Sequence, residues 1–270
     1  MRHFLLSIAL CLTSAVGVQA QQSELITLQT RQASKGWEGV GRLDIAGNGF
    51  CTAALIRERL ILTAAHCLFD DDGSLHDPSL FEFRAGLRDG RANATRSISR
   101  AFAHPDYTYD PNGTDASRVA KDIAVLELSQ AIRTSGIQPY LIASNPATGD
   151  EVGVVSYGRG REEAASLQEE CNVLGRQTGV IVMNCDVEFG SSGAPVFTIR
   201  NGETRIASVV SAMAQIDGEK VSLGTSLDGP LSALLAHFAA FGPARPGGTQ
   251  RIISVDGDRN DTGAKFIRRD

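Results

Sequence analysis

Gly190-Ser191-Ser192-Gly193-Ala194-Pro195 runs directly into the apolar stretch Val196-Phe197-Thr198-Ile199. A serine among small residues, with a proline and a strand-like run behind it, suits a nucleophilic hydroxyl. Small residues allow a tight turn and bring backbone N–H groups close to a bound substrate. The hydroxyl is presented while those amides hold a developing oxyanion. Gly/Ser-rich turns before strands are also ordinary loop chemistry. The stretch therefore takes its meaning from what lies upstream.

The chain has 270 residues, of which 42% are hydrophobic and 21% charged, enough for a sizeable core. Gly is frequent, at 28 residues, and helix-like periodicity is scarce, which favours many short strands and an all-β fold. The formal net charge of −5 gives no electrostatic case for nucleic acid or for an anionic membrane. Residues 1–20 read as a secretory signal: Arg2 is followed by a mostly apolar run from Phe4 to Leu12, and Val18-Gln19-Ala20 fits a small-x-small cleavage site. No other apolar run is long enough to span a bilayer. The expected location is secreted or periplasmic, with no membrane attachment after signal removal. Cys11 leaves with the signal, and Cys51, Cys67, Cys171 and Cys185 remain. An even number in an exported chain suggests disulfides, with three pairings open. Close Cys/His spacing of the zinc kind is absent, and no metal or cofactor is expected.

Residues 21–36 are polar and read as a pro-segment or a flexible N-terminus. Strand patterns follow at Val40–Ile45, Phe50–Ile56, Leu60–Ala65, Leu80–Ala85, Ser97–Ala103 and Asp122–Leu128. Asp70-Asp71-Asp72-Gly73 with Asp77 reads as a solvated turn, since its spacing does not match an EF-hand loop. Residues 129–150 form a long connection, and Val152–Tyr157 is a strand. Residues 161–170 read as charged and exposed. Cys171 to Cys185 looks like a hairpin, and strands recur near Ile206–Ala214 and Lys220–Ser226. Leu231–Phe241 is a helix, and residues 243–270 form a loosely ordered C-terminal tail.

Three elements stand out in chain order: Thr63-Ala64-Ala65-His66-Cys67, Asp122-Ile123-Ala124-Val125-Leu126, and the Ser192 turn. At these motifs the chain resembles the trypsin/chymotrypsin-like serine peptidases. The resemblance implies a peptidase domain over residues 37–242 built as two six-stranded antiparallel β-barrels with a C-terminal helix. It implies a secreted serine endopeptidase that acts on protein or peptide substrates. The alternative is a non-catalytic or latent relative acting as a binding protein. Residue by residue, His66 is the expected general base and Asp122 the group that fixes its tautomer; Ser192 is the nucleophile, and the Gly190 and Ser192 N–H groups form the oxyanion hole. A histidine suits that task because its unperturbed pKa lies near 6.5, close to working pH. The family strand resembled by Cys51-Thr52-Ala53-Ala54-Leu55-Ile56 implies a Cys51–Cys67 disulfide, which leaves Cys171–Cys185. His104-Pro105-Asp106-Tyr107 and Tyr157-Gly158 are further landmarks of the resemblance.

The departures are informative. Animal digestive members carry an aspartate just before the serine, which pairs with an N-terminus exposed by cleavage. Here that position is Ser191, and no Ile-Val-Gly-Gly-like start precedes Trp37. The chain is more similar to the bacterial secreted branch, including relatives of glutamyl endopeptidases. Asp186 lies six residues before Ser192, the spacing of trypsin's specificity aspartate, and would select Arg or Lys. Cys185 before it departs from the trypsin arrangement and leaves its placement open. Val209-Val210-Ser211-Ala212-Met213 lacks the histidine used for glutamate selection, and Ser211 is expected to line the pocket. An α/β-hydrolase reading of Gly190-x-Ser192-x-Ala194 fails on order, because only His237 follows the serine.

Overall fold

Short β-branched and apolar runs punctuated by glycine turns become strands in the computed structural model, which describes residues 23–110, 115–200 and 202–241. In chain order these are β1 (Ile26–Thr27), β2 (Val40–Ile45), β3 (Gly49–Arg57), β4 (Leu60–Thr63), β5 (Phe81–Ala85), β6 (Ala94–Ala103) and β7 (Ala124–Leu128). Then come β8 (Leu141–Ile142), β9 (Glu151–Gly158), β10 (Arg161–Gln177), β11 (Val180–Met183), β12 (Pro195–Arg200), β13 (Glu203–Ile216) and β14 (Glu219–Ser226). Among the described residues two α-helices, α1 (Ala116–Val119) and α2 (Pro230–Ala240), and two 3-10 turns, His66–Leu68 and Pro78–Leu80, complete the set.

The first six-stranded barrel closes in the order β2-β3-β4-β7-β6-β5. The β2–β3 hairpin pairs Val40 with Ala54 through Ile45 with Gly49, around the glycine-rich turn. Leu43, Leu55, Ile61, Phe83 and Leu126 are fully buried. Removing each such side chain from water contributes about 1.5–3 kcal/mol.

The second sheet has eight strands. Six of them, β9, β10, β11, β14, β13 and β12, form an antiparallel ring, because β10 pairs with both β11 and β9 and β12 pairs with both β13 and β9. Two short strands add to this ring. β1 pairs antiparallel with β10, and β8 pairs parallel with β13. Val152, Val154, Ile181, Met183, Val196 and Val210 fill its interior cluster. α2 lies against β6 through the edge-on contact of Phe102 with Phe238 and buries Leu231 and Leu234.

Residues 161–170 differ from the sequence expectation. They open the 17-residue strand β10, and Ala164 through Gln168 are buried. Glutamates at 162, 163, 169 and 170 flank that apolar centre and mask its period. Ser23 and Leu28 are tied to the same strand, through the Ser23 N–H to the Glu170 carbonyl and the Leu28 N–H to the Ala165 carbonyl. The disulfides are Cys51–Cys67, which ties β3 to the turn after β4, and Cys171–Cys185, which ties β10 to the segment after β11. The signal-like residues 1–20 and the tail 243–270 lie outside the described residues. Among the described residues no helix is long and apolar enough to cross a membrane.

The two barrels share one seam. Trp37 and Tyr140 pack their rings on Phe197 at 5.1 and 4.9 Å. The buried Tyr157 hydroxyl donates to the Leu87 carbonyl at 2.9 Å. All of this lies within the unit that ends at Ala240.

Candidate active site

The seam opens into a cleft of about 940 Å³. His66, Gly190, Ser192, Val210 and Ser211 are among its lining residues. β4 is buried at every position, and it delivers His66 into a one-turn 3-10 helix, His66–Leu68. The disulfide at Cys67 anchors that turn to β3. Cys51, Cys67 and His66 bring potential metal-ligand atoms within 4.8 Å of one another, but the two sulfurs are bonded to each other.

Asp122 follows α1 and is fully buried. Its Oδ2 accepts from His66 Nδ1 at 2.7 Å, and its Oδ1 accepts from the His66 backbone N–H at 2.8 Å. Ser211 Oγ donates to the same Oδ2 at 2.5 Å. A carboxylate can only accept, so the imidazole carries its proton on Nδ1 and leaves Nε2 as a base. Burial alone would raise the Asp122 carboxyl. The field of His66 in its protonated form and the hydrogen bonds from His66 and Ser211 outweigh burial and hold it below the ordinary carboxylate range.

The Ser192 loop is fixed by its carbonyls. The Phe189 carbonyl accepts from the Arg159 N–H at 2.8 Å, and the Ser191 carbonyl accepts from the Ala194 N–H at 2.9 Å. In a trans peptide the N–H points opposite to the C=O. These two bonds therefore set the directions of the Gly190 and Ser192 N–H groups. Among the described residues neither N–H donates to a protein acceptor. Gly190 has φ +95°, a conformation that glycine adopts readily. A Cβ there would meet the Phe50 ring at 2.3 Å.

Thr52 spans the seam and was not singled out by sequence reasoning. Its N–H donates to the Ser192 carbonyl and its Oγ1 to the Gly190 carbonyl, both at 2.8 Å. Its Oγ1 also accepts from the Tyr157 N–H at 3.1 Å. A threonine inside an apolar strand carries no sequence signal of this role. Thr52→Val keeps the shape and leaves the Gly190 carbonyl and the Tyr157 N–H without that partner. The expected cost is about 1–3 kcal/mol of stability, read from the urea midpoint. Any acylation at Ser192 is expected to slow on the order of tenfold to a hundredfold, read with an active-site label.

Ser211 sits at a register shift of β13 and both lines the cleft and bonds Asp122. Asp186 is placed otherwise. Its half-exposed carboxylate lies 3.5 Å from Lys220 Nζ, which also binds Glu188 at 2.7 Å. Its N–H donates to Gln168 Oε1 at 2.7 Å, and it is not among the residues lining the cleft. The cleft lining includes Val187, Glu188, Val210, Ala212 and Met213.

The model of the family described as Trypsin matches residues 27–222. The chain belongs to the trypsin family. Within that family it is 31% identical over 117 residues to cathepsin G of Mus musculus, covering 42% of this chain and 40% of that protein. It is 24% identical over 171 residues to glutamyl endopeptidase of Bacillus licheniformis, covering 63% of this chain and 52% of that protein. The matched stretch spans 40–53% of three curated relatives and 73% of neutrophil elastase of Mus musculus. A solved structure of Glu endopeptidase in complex with MPD superposes with a TM-score of 0.63 at 15% identity, covering 83% of this chain and 98% of that one. That likeness speaks to the fold. The mixture of animal and bacterial relatives leaves the family assignment broader than one branch.

Proposed function

We propose that the chain is a secreted serine endopeptidase of the bacterial branch, with Ser192 as nucleophile, His66 as general base and Asp122 as its orienting carboxylate. The observation that carries this reading is the cleft itself. The Asp122-held imidazole and Ser192 line one space, beside two backbone N–H groups without protein acceptors. In this reading Ser192 Oγ attacks the scissile carbonyl carbon and passes its proton to His66 Nε2. The oxyanion is received by the Gly190 and Ser192 N–H groups, where losing one donor costs about 2.7–4 kcal/mol of transition-state stabilisation. Collapse breaks the C–N bond, and His66 protonates the leaving amine. Water then repeats the sequence on the acyl-enzyme.

The domain reading assigns residues 1–20 to a signal, 21–36 to a pro-segment or flexible N-terminus, 37–242 to the peptidase domain and 243–270 to a tail. Selection of Arg or Lys through Asp186 would require that carboxylate to leave Lys220 and turn into the cleft. Asp186 lies outside the cleft lining and beside Lys220, which counts against that selection.

A fluorophosphonate probe tests the reading directly. The secreted protein is expected to be labelled at Ser192 alone, mapped by mass spectrometry, and Ser192→Ala to remain unlabelled with nearly unchanged thermal unfolding. A folded, disulfide-bonded protein that takes no label would instead be a latent or binding form of the fold.

A further inference from the structure

A cation lies behind the Ser192 loop. Arg161 opens β10 opposite Gly158, the last residue of β9. Its Nη1 donates to the Ser156 carbonyl at 2.7 Å and to Ser156 Oγ at 3.1 Å. Its Nη2 donates to Ser191 Oγ at 3.2 Å. Ser191 is fully buried. Its hydroxyl reaches the Tyr157 carbonyl at 3.1 Å and accepts from the Glu188 N–H at 3.2 Å. Its N–H donates to the Glu188 carbonyl at 2.8 Å. Every polar atom of Ser191 is thus committed, and the guanidinium is one of the partners.

No carboxylate lies within ion-pair distance of Arg161 among the described contacts; Asp186, Glu188 and Glu162 act on it only through their fields. Even partial burial of the Arg161 guanidinium without a contact ion partner opposes folding. Three well-directed hydrogen bonds offset part of that cost. The same hairpin also supplies the Arg159 N–H that fixes the Phe189 carbonyl. It therefore holds the loop at two points, on either side of Gly190.

We propose that Arg161 is a positioning residue of the active site: its guanidinium, seated between Ser156, Gly158 and Ser191, holds the Glu188–Ser192 turn so that the Gly190 and Ser192 N–H groups face the cleft. The chain thereby carries its own internal cation for this task, and the loop needs no charge supplied by a new chain end. The catalytic part of this inference rests on the function proposed above.

Gly158 provides an independent handle. A Cβ at that position would lie 2.9 Å from Arg161 Cζ and Nη2, so Gly158→Ala displaces the guanidinium without altering its chemistry. The test uses the full-length protein with Arg161→Ala, Arg161→Lys, Gly158→Ala and the Arg161→Ala/Gly158→Ala pair. Fluorophosphonate labelling rates, kcat and KM are measured with and without millimolar guanidinium ion. Arg161→Ala is expected to slow labelling about tenfold or more, with kcat falling further than KM changes. Guanidinium is expected to restore part of that rate, and Arg161→Lys, which lacks the planar fork, is not expected to match wild type. Gly158→Ala is expected to slow the wild-type background and to add nothing to Arg161→Ala. Amide exchange of the peptide spanning residues 188–194 is followed in parallel and should be faster in Arg161→Ala. Labelling within twofold of wild type would overturn the proposal. So would a slow variant that neither guanidinium rescues nor Gly158→Ala imitates, since that marks a purely structural role. If wild type itself takes no label, the catalytic reading fails separately and amide exchange alone decides: unchanged exchange overturns the brace, and faster exchange upholds it.

Discussion

Asp122→Asn is expected to lower kcat about 10⁴-fold at neutral pH while the fold persists. The reason is a count of donors and acceptors. Asp122 accepts from the His66 N–H, from His66 Nδ1 and from Ser211 Oγ. An asparagine has one acceptor oxygen and a donating NH₂. With its oxygen kept by the His66 backbone N–H, the NH₂ faces Nδ1. The imidazole must then place its proton on Nε2, and the base that should receive the Ser192 proton becomes a donor. Mis-pairing a buried amide costs about 1–3 kcal/mol of folding free energy, far too little to explain the kinetic loss. The pH dependence separates the two effects. Asp122 has a lower carboxyl pKa in the folded chain than the ordinary value, so its ionisation favours folding. That contribution is complete above the unfolded carboxyl pKa of about 4 and is lost as pH falls through the lower folded value. Wild type should therefore hold its margin over the variant in urea melts at pH 7 and surrender it progressively below about pH 4. A variant retaining activity within tenfold of wild type would remove Asp122 from the catalytic reading.

The second large effect is on folding. Gly193→Ala is expected to destabilise the protein by about 4 kcal/mol or more, enough to leave little soluble material. Gly193 has φ +80°, a region that costs an L-residue roughly 1–2 kcal/mol. The added Cβ would also lie 2.0 Å from Thr63 Oγ1 and 2.3 Å from the Thr52 carbonyl. Those two atoms hydrogen-bond each other at 2.8 Å, so neither moves without breaking a buried pair. Gly193 further donates to the Val210 carbonyl at 2.8 Å, which locks the loop to β13. Secretion yield and the urea midpoint measure the effect. A near-normal midpoint would mean that the loop can move away from β3 and β4 at little cost.

Much of this was visible in the chain. Alternation in Val40–Ile45 and the uninterrupted Leu60–Thr63 run predicted strands where strands occur, since hydrophobic period reports which faces are buried. The motifs at His66, Asp122 and Ser192 were legible together, through their chain order and their resemblance to the trypsin-like peptidases, since each alone is also ordinary strand or turn chemistry. What was not visible depends on partners far away in sequence. Thr52 finds Gly190 at a separation of 138 residues, and nothing local in a threonine announces that. Arg161 sits in a charged run that reads as solvated surface, yet its guanidinium turns inward to Ser191. Asp186 shows the converse. Its spacing from Ser192 matches a specificity aspartate, but spacing does not say which way a carboxylate turns, and Lys220 holds it at the surface.

The seam between the barrels also bears on divergence. The Ser192 loop there is held largely through its own backbone: Thr52 bonds the Gly190 and Ser192 carbonyls, and the Arg159 N–H bonds the Phe189 carbonyl. Backbone atoms are common to every residue, so many substitutions leave them in place. Each barrel interior asks only for apolar volume that closes the ring, and many combinations meet that demand. Selection can therefore rewrite both interiors while guarding a narrow strip between them. A fold match with a TM-score of 0.63 at 15% identity is what such a division of constraint would leave behind.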